Sequence, residues 1–279
     1  MTEIYKELIA TIKVDIGEAE KKFVDRYCAC LKLWVVVLSA IVSVTTIWAI
    51  YGIFQEHPLR FLGYPLFLIL FIVCMRYKAK QLMKIRDSIN EECNPEKGLS
   101  YYMSLASKVK KQKKNLWENS LYCIGLSLFY AGRFEDCKKI LPFFDKYCKG
   151  SKGGLRYTLL CMILAYQQKD VNALTAHAKA LEELLKTHKE ISMQIPCEKA
   201  LKYPALLDLK ERGEYEAVHG LLSSYSTAQK VPVMTKVINN YCLYHTAKAA
   251  GMEKEAAEHK AFVLEYGGTT FYKKELEKG

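Results

Sequence analysis

The feature that most constrains this chain is an uninterrupted apolar run, Leu33–Phe54, which reads LWVVVLSAIVSVTTIWAIYGIF and contains 22 residues without a charge. A helix of that length rises roughly 33 Å, enough to cross the hydrocarbon core of a bilayer. Trp34 lies at one end and Trp48 and Tyr51 near the other, where interfacial aromatic residues are common. A cleaved signal peptide would begin closer to the N-terminus and end in small residues. The run therefore predicts a transmembrane helix.

A second apolar run, Phe61–Met75, follows after the short connection 55–60 and is bracketed by Arg60 and Arg76. Its 15 residues are fewer than the usual ~17, but flanking arginines extend a span by snorkelling. Pro65 predicts a kink near its start. We predict a transmembrane hairpin over residues 33–76, with a re-entrant or interfacial segment as the alternative for the second run.

The positive charges around the hairpin predict its orientation. Basic residues flank both outer ends, whereas the connection carries only Arg60. The positive-inside rule then places both termini in the cytoplasm. The ten cysteines are scattered and never form Cys-x-x-Cys, which favours free thiols in a reducing compartment. The expected localisation is therefore an integral membrane protein with two spans and cytoplasmic termini.

Two apolar stripes flank the hairpin in sequence. Residues 1–32 predict an amphipathic cytoplasmic helix, and residues 77–94 predict a juxtamembrane helix and linker with a similar short stripe. The stripe residues are Ile4, Leu8, Ile12, Ile16, Ala19, Phe23 and Tyr27 in the first segment, and Leu82, Met83, Ile85 and Ile89 in the second. Two interpretations stay open: the stripes pair with each other, or the first lies on the membrane surface.

The remaining residues, 95–279, predict an all-α domain. Apolar residues recur at helical spacing, strand signals are weak, and Asn94 followed by Pro95 is typical of a helix cap and first turn. The segment 119–147 reads NSLYCIGLSLFYAGRFEDCKKILPFFDKY. Within it, the large residue Leu121 is followed by the large–small pair Ile124-Gly125 and by a second large residue, Leu128. A Gly-polar-aromatic turn, Gly132-Arg133-Phe134, comes next, and the small residue Cys137 follows it.

This pattern resembles the tetratricopeptide repeat (TPR), an antiparallel helix pair. It recurs with turns at positions 132, 169, 213 and 251, and the wide second interval suggests an insertion at Ile191–Cys197. The resemblance covers about 118–266 and implies an α-solenoid of about four TPR-like helix pairs. An irregular helical bundle is the alternative.

The resemblance also implies a concave groove, lined by the first helices, that binds a partner protein or peptide. The family's inward positions fall on Asn119, Tyr122, Phe129, Tyr130, Arg156, Tyr166, Tyr203, Lys210, Tyr241, His245 and Lys248. Tyrosine gives large contact area at low entropic cost, and the basic residues suit an acidic or carboxylate-bearing peptide. The alternative is that the tyrosines pack between helices.

The chain is basic, with 41 Lys+Arg against 30 Asp+Glu. A lysine cluster predicted to face anionic lipid headgroups consists of Lys108, Lys110, Lys111, Lys113 and Lys114. A solvated helix end is the alternative. Nucleic acid is not expected as a partner, because no reading motif accompanies the charge.

No catalytic pattern emerges from the sequence. None of the six histidines forms His-Glu-x-x-His, no zinc-ligand spacing occurs, and there is no Gly-x-Ser-x-Gly elbow. We therefore expect no enzyme, no metal and no cofactor. The sequence predicts a membrane-anchored interaction scaffold. The alternative is a structural subunit of a larger membrane complex that assembles through the hairpin.

Overall fold

The computed structural model describes residues 3–54, 63–109, 114–148, 154–187, 191–223 and 231–278, and it confirms the all-α class. No strand occurs among these residues. The chain divides into two compact units, one of residues 1–16 and 87–279 and one of residues 17–86. The helices are α1 Glu3–Ile12, α2 Glu18–Phe54, α3 Gly63–Asn90, α4 Pro95–Ala106, α5 Lys114–Tyr130, α6 Phe134–Tyr147, α7 Leu155–Gln167, α8 Val171–Thr187, α9 Ile191–Ala200, α10 Tyr203–Glu211, α11 Tyr215–Ser223, α12 Val233–Ala249, α13 Glu253–Tyr266 and α14 Phe271–Leu276.

Within the described residues, one helix is long and apolar enough to cross a membrane, over Glu18–Tyr51 of α2. Only 11% of its most apolar stretch is buried, so most of that stretch is not covered by the described chain. Side chains such as Val36, Val44 and Ile47 are more than 60% exposed. The helix α3 does not meet the same condition, since it begins at Gly63 and its apolar part ends at Arg76. The connection 55–60 and residues 61–62 of the second predicted span lie outside the described residues.

The N-terminal segment departs from the predicted single helix over 1–32. It forms two helices, because the chain leaves helical geometry after α1, with Lys13 at a φ of 45° and Gly17 before the next start. From Glu18 the helix continues into the apolar run without a break. In the same way α3 runs on from the second apolar run to Asn90, since no glycine or proline interrupts residues 76–90.

The apolar stripe of α1 packs on α6 rather than pairing with the stripe at 82–89. Ile4, Leu8 and Ile12 are each at most 1% exposed within the main core. The polar edge is fixed as well: Lys146 Nζ donates to Glu7 Oε1 at 2.7 Å. The Arg133 guanidinium donates to the carbonyl of Ile12, which holds the end of α1 at the α5–α6 turn.

Four antiparallel helix pairs follow, α5–α6, α7–α8, α10–α11 and α12–α13, and each closes on a residue in the left-handed region. These residues are Gly132, Lys169, Gly213 and Gly251, with φ between 56° and 81°. The bonding repeats as well: Gly132 N donates to Phe129 O, and the next amide donates to the carbonyl of Leu128, both at 2.9 Å. The other three turns have the same two bonds. This is the Schellman arrangement, which satisfies the last carbonyls of a helix.

The pairs stack in sequence order, with α5 on α7, α7 on α10 and α10 on α12. The segment interpreted as an insertion is the helix α9, which accounts for the wide interval between the second and third turns. The predicted cap before α4 is confirmed, since Asn94 Oδ1 accepts from Lys97 N at 3.0 Å and Pro95 occupies the first turn.

A small residue sets the spacing between the first helix pair and its neighbour. A Cβ added at Gly125 of α5 would lie 2.5 Å from Leu160 Cδ2 and 3.0 Å from Ile140 Cδ1. Cys137 Sγ contacts the carbonyl of Gly125 at 3.3 Å from the opposite helix. A side chain at this position would require Leu160 to change its rotamer and Ile140 to give way slightly.

The C-terminal helix α14 returns to the beginning of the domain. Phe271 packs edge-on against Phe129 and Phe134, with ring centroids 5.7 and 5.1 Å apart. Just before it, Thr269 N donates to Cys93 O at 3.0 Å. The last helix pair is thereby joined to the first through α14.

Candidate functional site

The first helices of the four pairs enclose one cavity of about 900 Å³. Helix α5 contributes Tyr122, Leu126, Phe129 and Tyr130, whose spacing puts them on one helix face. Equivalent faces of α7, α10 and α12 form the other walls, together with residues of α9, α11 and α14. This volume lies in the range of pockets that bind small-molecule ligands.

The cavity brings together eight of the eleven residues predicted for the groove. They are Tyr122, Phe129, Tyr130, Tyr166, Tyr203, Lys210, Tyr241 and His245. The other three do not line it. Arg156 is 3.8 Å from Glu118, Lys248 Nζ lies over the ring of Tyr244 at 5.9 Å, and Asn119 is one turn before the first lining residue of α5.

Aromatic rings pack against each other around the cavity. The Tyr166 and Tyr203 centroids are 5.0 Å apart, and those of Tyr241 and Tyr272 are 4.9 Å apart. Lys210 Nζ lies 6.0 Å from the Tyr166 centroid and 5.8 Å from the Tyr241 centroid. At those distances the ring faces stabilise the ammonium group inside the site.

Two of the cavity's tyrosine hydroxyls have side-chain partners. Tyr241 donates to Glu275 Oε2 at 2.6 Å, and the Tyr166 hydroxyl lies 3.7 Å from Cys242 Sγ. Because Glu275 belongs to α14, the first of these bonds shows a carboxylate held inside the cavity by a tyrosine of α12.

Four further hydroxyls, those of Tyr122, Tyr130, Tyr203 and Tyr272, have no hydrogen-bond partner among the described residues. Burial raises the pKa of Tyr203 to about 12 and raises the pKa values of Tyr122, Tyr130 and Tyr272 above their ordinary value. All four therefore keep their protons at neutral pH and are available as donors.

The charged residues on the cavity wall are mostly cationic. Four lysines line it, Lys169, Lys199, Lys202 and Lys210, against two carboxylates, Glu211 and Glu275.

His245 adds no charge to the cavity at neutral pH. Burial, with a smaller contribution from Lys210, lowers the pKa of His245 to about 4. Four positive charges minus two negative ones leave a net charge of +2 on the wall. The site therefore favours anions.

Sequence reasoning missed the contributions of α9 and α14. Lys199 on α9 lies just after the predicted insertion and was not among the predicted groove positions, and Tyr272 and Glu275 lie beyond residues 118–266, which the resemblance covers. The pair Phe271-Tyr272 was the available signal, since two adjacent aromatic residues near a terminus indicate an anchored rather than a frayed end.

The lysine cluster is only partly described. Lys108 is exposed just beyond the end of α4, and Lys114 begins α5. Lys110, Lys111 and Lys113 lie outside the described residues.

A separate polar chain joins α11, α12 and α13 outside the cavity. The Tyr215 hydroxyl is 2.8 Å from His259 Nε2, and His259 Nδ1 is 2.8 Å from Asn240 Oδ1. Burial lowers the pKa of His259, so the neutral ring donates through Nδ1 to Asn240 and accepts from Tyr215. These bonds tie three helices together.

Among the residues that the structure describes, no group of three or more His, Cys, Asp or Glu side chains could hold a metal ion. Comparison with protein-family models, with curated proteins and with solved structures gave no match to this chain. The choice of the tyrosine-lined, positively charged cavity as the candidate site therefore rests on its residues alone.

Proposed function

We propose that the protein is a membrane-anchored scaffold, in which a TPR-like cytoplasmic domain captures an acidic segment of a partner protein in the tyrosine-lined cavity. A two-span hairpin over residues 33–76 acts as the anchor, with both termini cytoplasmic. Tethering a binding domain at the bilayer raises the local concentration of whatever it captures, without any additional contact.

The observation that carries this proposal is the convergence of equivalent helix faces on one cavity. Tyr122, Tyr203 and Tyr241 come from three different helix pairs and all line it. The three rings also pack against the apolar core between helices, and Tyr241 is only 8% exposed, so they serve the fold as well as the cavity. What supports the proposal is that all three border a space of about 900 Å³ whose walls carry a net positive charge.

The anchor is supported by the exposure of α2. Leu33, Val35, Val44 and Ile47 are each more than 60% exposed, while Thr45 and Ala49 form a narrow buried edge of the same helix. A long helix whose apolar side chains are mostly uncovered by the rest of the chain favours a lipid environment. The second span is supported by the apolar residues of α3 and by Arg76 at its end.

The cavity is tested with charge reversal in the intact membrane protein. Lys210→Glu and Lys199→Glu place a negative charge on the wall, while Lys260→Glu on α13 is the matched control outside it. Site-specific crosslinking in membranes should show a partner on the wild-type and control proteins and a loss of that partner with either cavity variant. Equal crosslinking in all four proteins would refute the cavity as the capture site.

The alternative, a structural subunit assembled through the hairpin, gives the opposite result. Replacing residues 33–76 with an unrelated two-span hairpin should leave capture intact if the cavity binds the partner. Loss of the partner with that exchange, and not with Lys210→Glu, would assign the interaction to the spans. Protease added from the cytoplasmic side of sealed vesicles should cleave the domain, and protection there would reverse the proposed topology.

A further inference from the structure

The cavity contains more hydrogen-bond donors than its own acceptors satisfy. The hydroxyls of Tyr122, Tyr130, Tyr203 and Tyr272 lack partners among the described residues. The two carboxylates are already engaged, Glu275 by Tyr241 at 2.6 Å and Glu211 by Lys169 at 3.5 Å. None of the four hydroxyl oxygens is among the fully buried atoms without a partner, so they open onto the cavity, where a bound group rich in acceptors can take the place of water.

The charge of the wall limits the identity of that group further. Four lysines and two glutamates give a net charge of +2, with His245 neutral. A carboxylate brings one negative charge and two oxygens. A phosphate monoester brings close to two negative charges at pH 7 and three strong acceptor oxygens, which fits both the charge and the donors.

The helix α14 forms one wall of this cavity. On α14, Tyr272 packs against Tyr241 and Tyr130, with centroids 4.9 and 6.4 Å apart, and Glu275 accepts from the Tyr241 hydroxyl. The Tyr241–Glu275 bond is an internal example of a cavity tyrosine that donates to an acidic side chain, so the ligand that fits the proposed function is an acidic polypeptide.

We propose that the cavity recognises a phosphorylated side chain in the partner's segment, held by the four unpartnered tyrosine hydroxyls and by Lys210. This rests on the proposed function and specifies its ligand. The rings and aliphatic walls contact the neighbouring residues of the peptide, while the phosphoryl oxygens accept from the tyrosines. Phosphorylation of the partner would then control its recruitment to the membrane.

The test uses the full chain in nanodiscs of phosphatidylcholine and three peptides, Ac-Ala-Ala-X-Ala-Ala-amide with phosphoserine, serine or glutamate at X. Isothermal titration calorimetry should show the phosphoserine peptide binding at least about tenfold more tightly than the glutamate peptide. The phosphoryl group carries close to two negative charges and accepts more hydrogen bonds than a carboxylate. The serine peptide should not bind measurably.

Matched variants assign the effect to the hydroxyls. Tyr130→Phe with Tyr203→Phe keeps both rings and should weaken the phosphoserine peptide by about tenfold for each hydroxyl removed. Tyr266→Phe, on an exposed side chain of α13 outside the cavity, should change nothing. Circular dichroism of each variant establishes that its helix content is unchanged.

Several results would overturn the proposal, and each is distinct from a failure of the proposed function. Equal affinity for the glutamate and phosphoserine peptides would refute phosphoryl recognition while leaving capture of acidic segments standing. Phosphoserine binding unaffected by the double Phe variant would refute the hydroxyl site. Binding of phosphatidic acid nanodiscs without peptide binding would assign the site to lipid. The proposed function is tested separately, by whether Lys210→Glu abolishes crosslinking of the partner in membranes.

Discussion

Substituting Gly132 by alanine should destabilise the domain through two separate effects. The residue ends α5 with a φ of +81°, and a non-glycine residue in that region costs roughly 1–2 kcal/mol. An added Cβ would also lie 2.8 Å from Phe271 Cβ, which is fixed close to the backbone of α14. Overpacking of this kind typically costs about 1–3 kcal/mol. Together the two effects lower the free energy of unfolding by roughly 2–5 kcal/mol.

Two other glycines separate these effects. Gly251 has nearly the same backbone, with a φ of +73°, but nothing lies within 4 Å of a Cβ added there. Gly251→Ala should therefore cost only the backbone term of roughly 1–2 kcal/mol. Gly220, inside α11, also faces open space, and alanine there should stabilise the helix by up to about 1 kcal/mol.

The measurement is chemical denaturation of the full chain in non-ionic micelles, followed by far-ultraviolet circular dichroism. The expected order of stability is Gly132→Ala, then Gly251→Ala, then wild type, then Gly220→Ala as the most stable. Equal losses at positions 132 and 251 would mean that α14 does not press on the first turn. A gain at position 132 would refute the left-handed turn itself.

Three more outcomes follow from burial and charge. Because the pKa of His245 is about 4 in the folded chain against an ordinary 6.5, the unfolded chain binds its proton first as the pH falls. The free energy of unfolding should therefore drop between pH 6.5 and 4, by at most about 3 kcal/mol, and denaturation of His245→Gln at pH 7 and pH 5 should show a smaller drop. Leu8→Ala removes a fully buried side chain of α1 and should cost about 2–5 kcal/mol, which speeds tryptic cleavage after Lys13, whereas exposed Lys6→Ala should leave cleavage after Lys13 unchanged. Val44→Lys places a charge in the middle of the apolar run and should disfavour membrane insertion by about 3 kcal/mol in an integration assay, while Val44→Leu should insert normally.

Local features of the fold were accessible from the sequence. The Asn94-Pro95 start of α4 is specified by a cap side chain and a proline that needs no amide donor, so neighbouring residues suffice to predict it. The turns at Gly132, Gly213 and Gly251 are marked by the residue that most easily enters the left-handed region. Lys169 enters that region without being glycine, and only the repeating pattern around it indicated a turn.

Long-range pairings were not accessible in the same way. The stripe on α1 is clear in the sequence, but a stripe does not identify the surface that covers it, and its partner α6 lies more than a hundred residues away. The helix α14 has six residues, fewer than two helical turns, so its sequence shows no repeating apolar pattern and its part in the cavity depends on long-range contacts such as that of Phe271 with Phe134. The tyrosines could be placed on inward faces, but their unsatisfied hydroxyls became visible only with all the walls in position.

The return of α14 to the start of the domain changes how the row of helix pairs unfolds. An array whose units touch only their neighbours loses structure from its ends, one unit at a time. Here Thr269 bonds to Asn94 across 175 positions and Lys274 pairs with Glu96 at 3.0 Å, so the end of the domain is attached to α4, which precedes the first helix pair. Closing a loop of that length costs roughly 4–5 kcal/mol of chain entropy, which slows the last step of folding. Once closed, neither end frays independently, and the domain should lose its structure in a single cooperative transition.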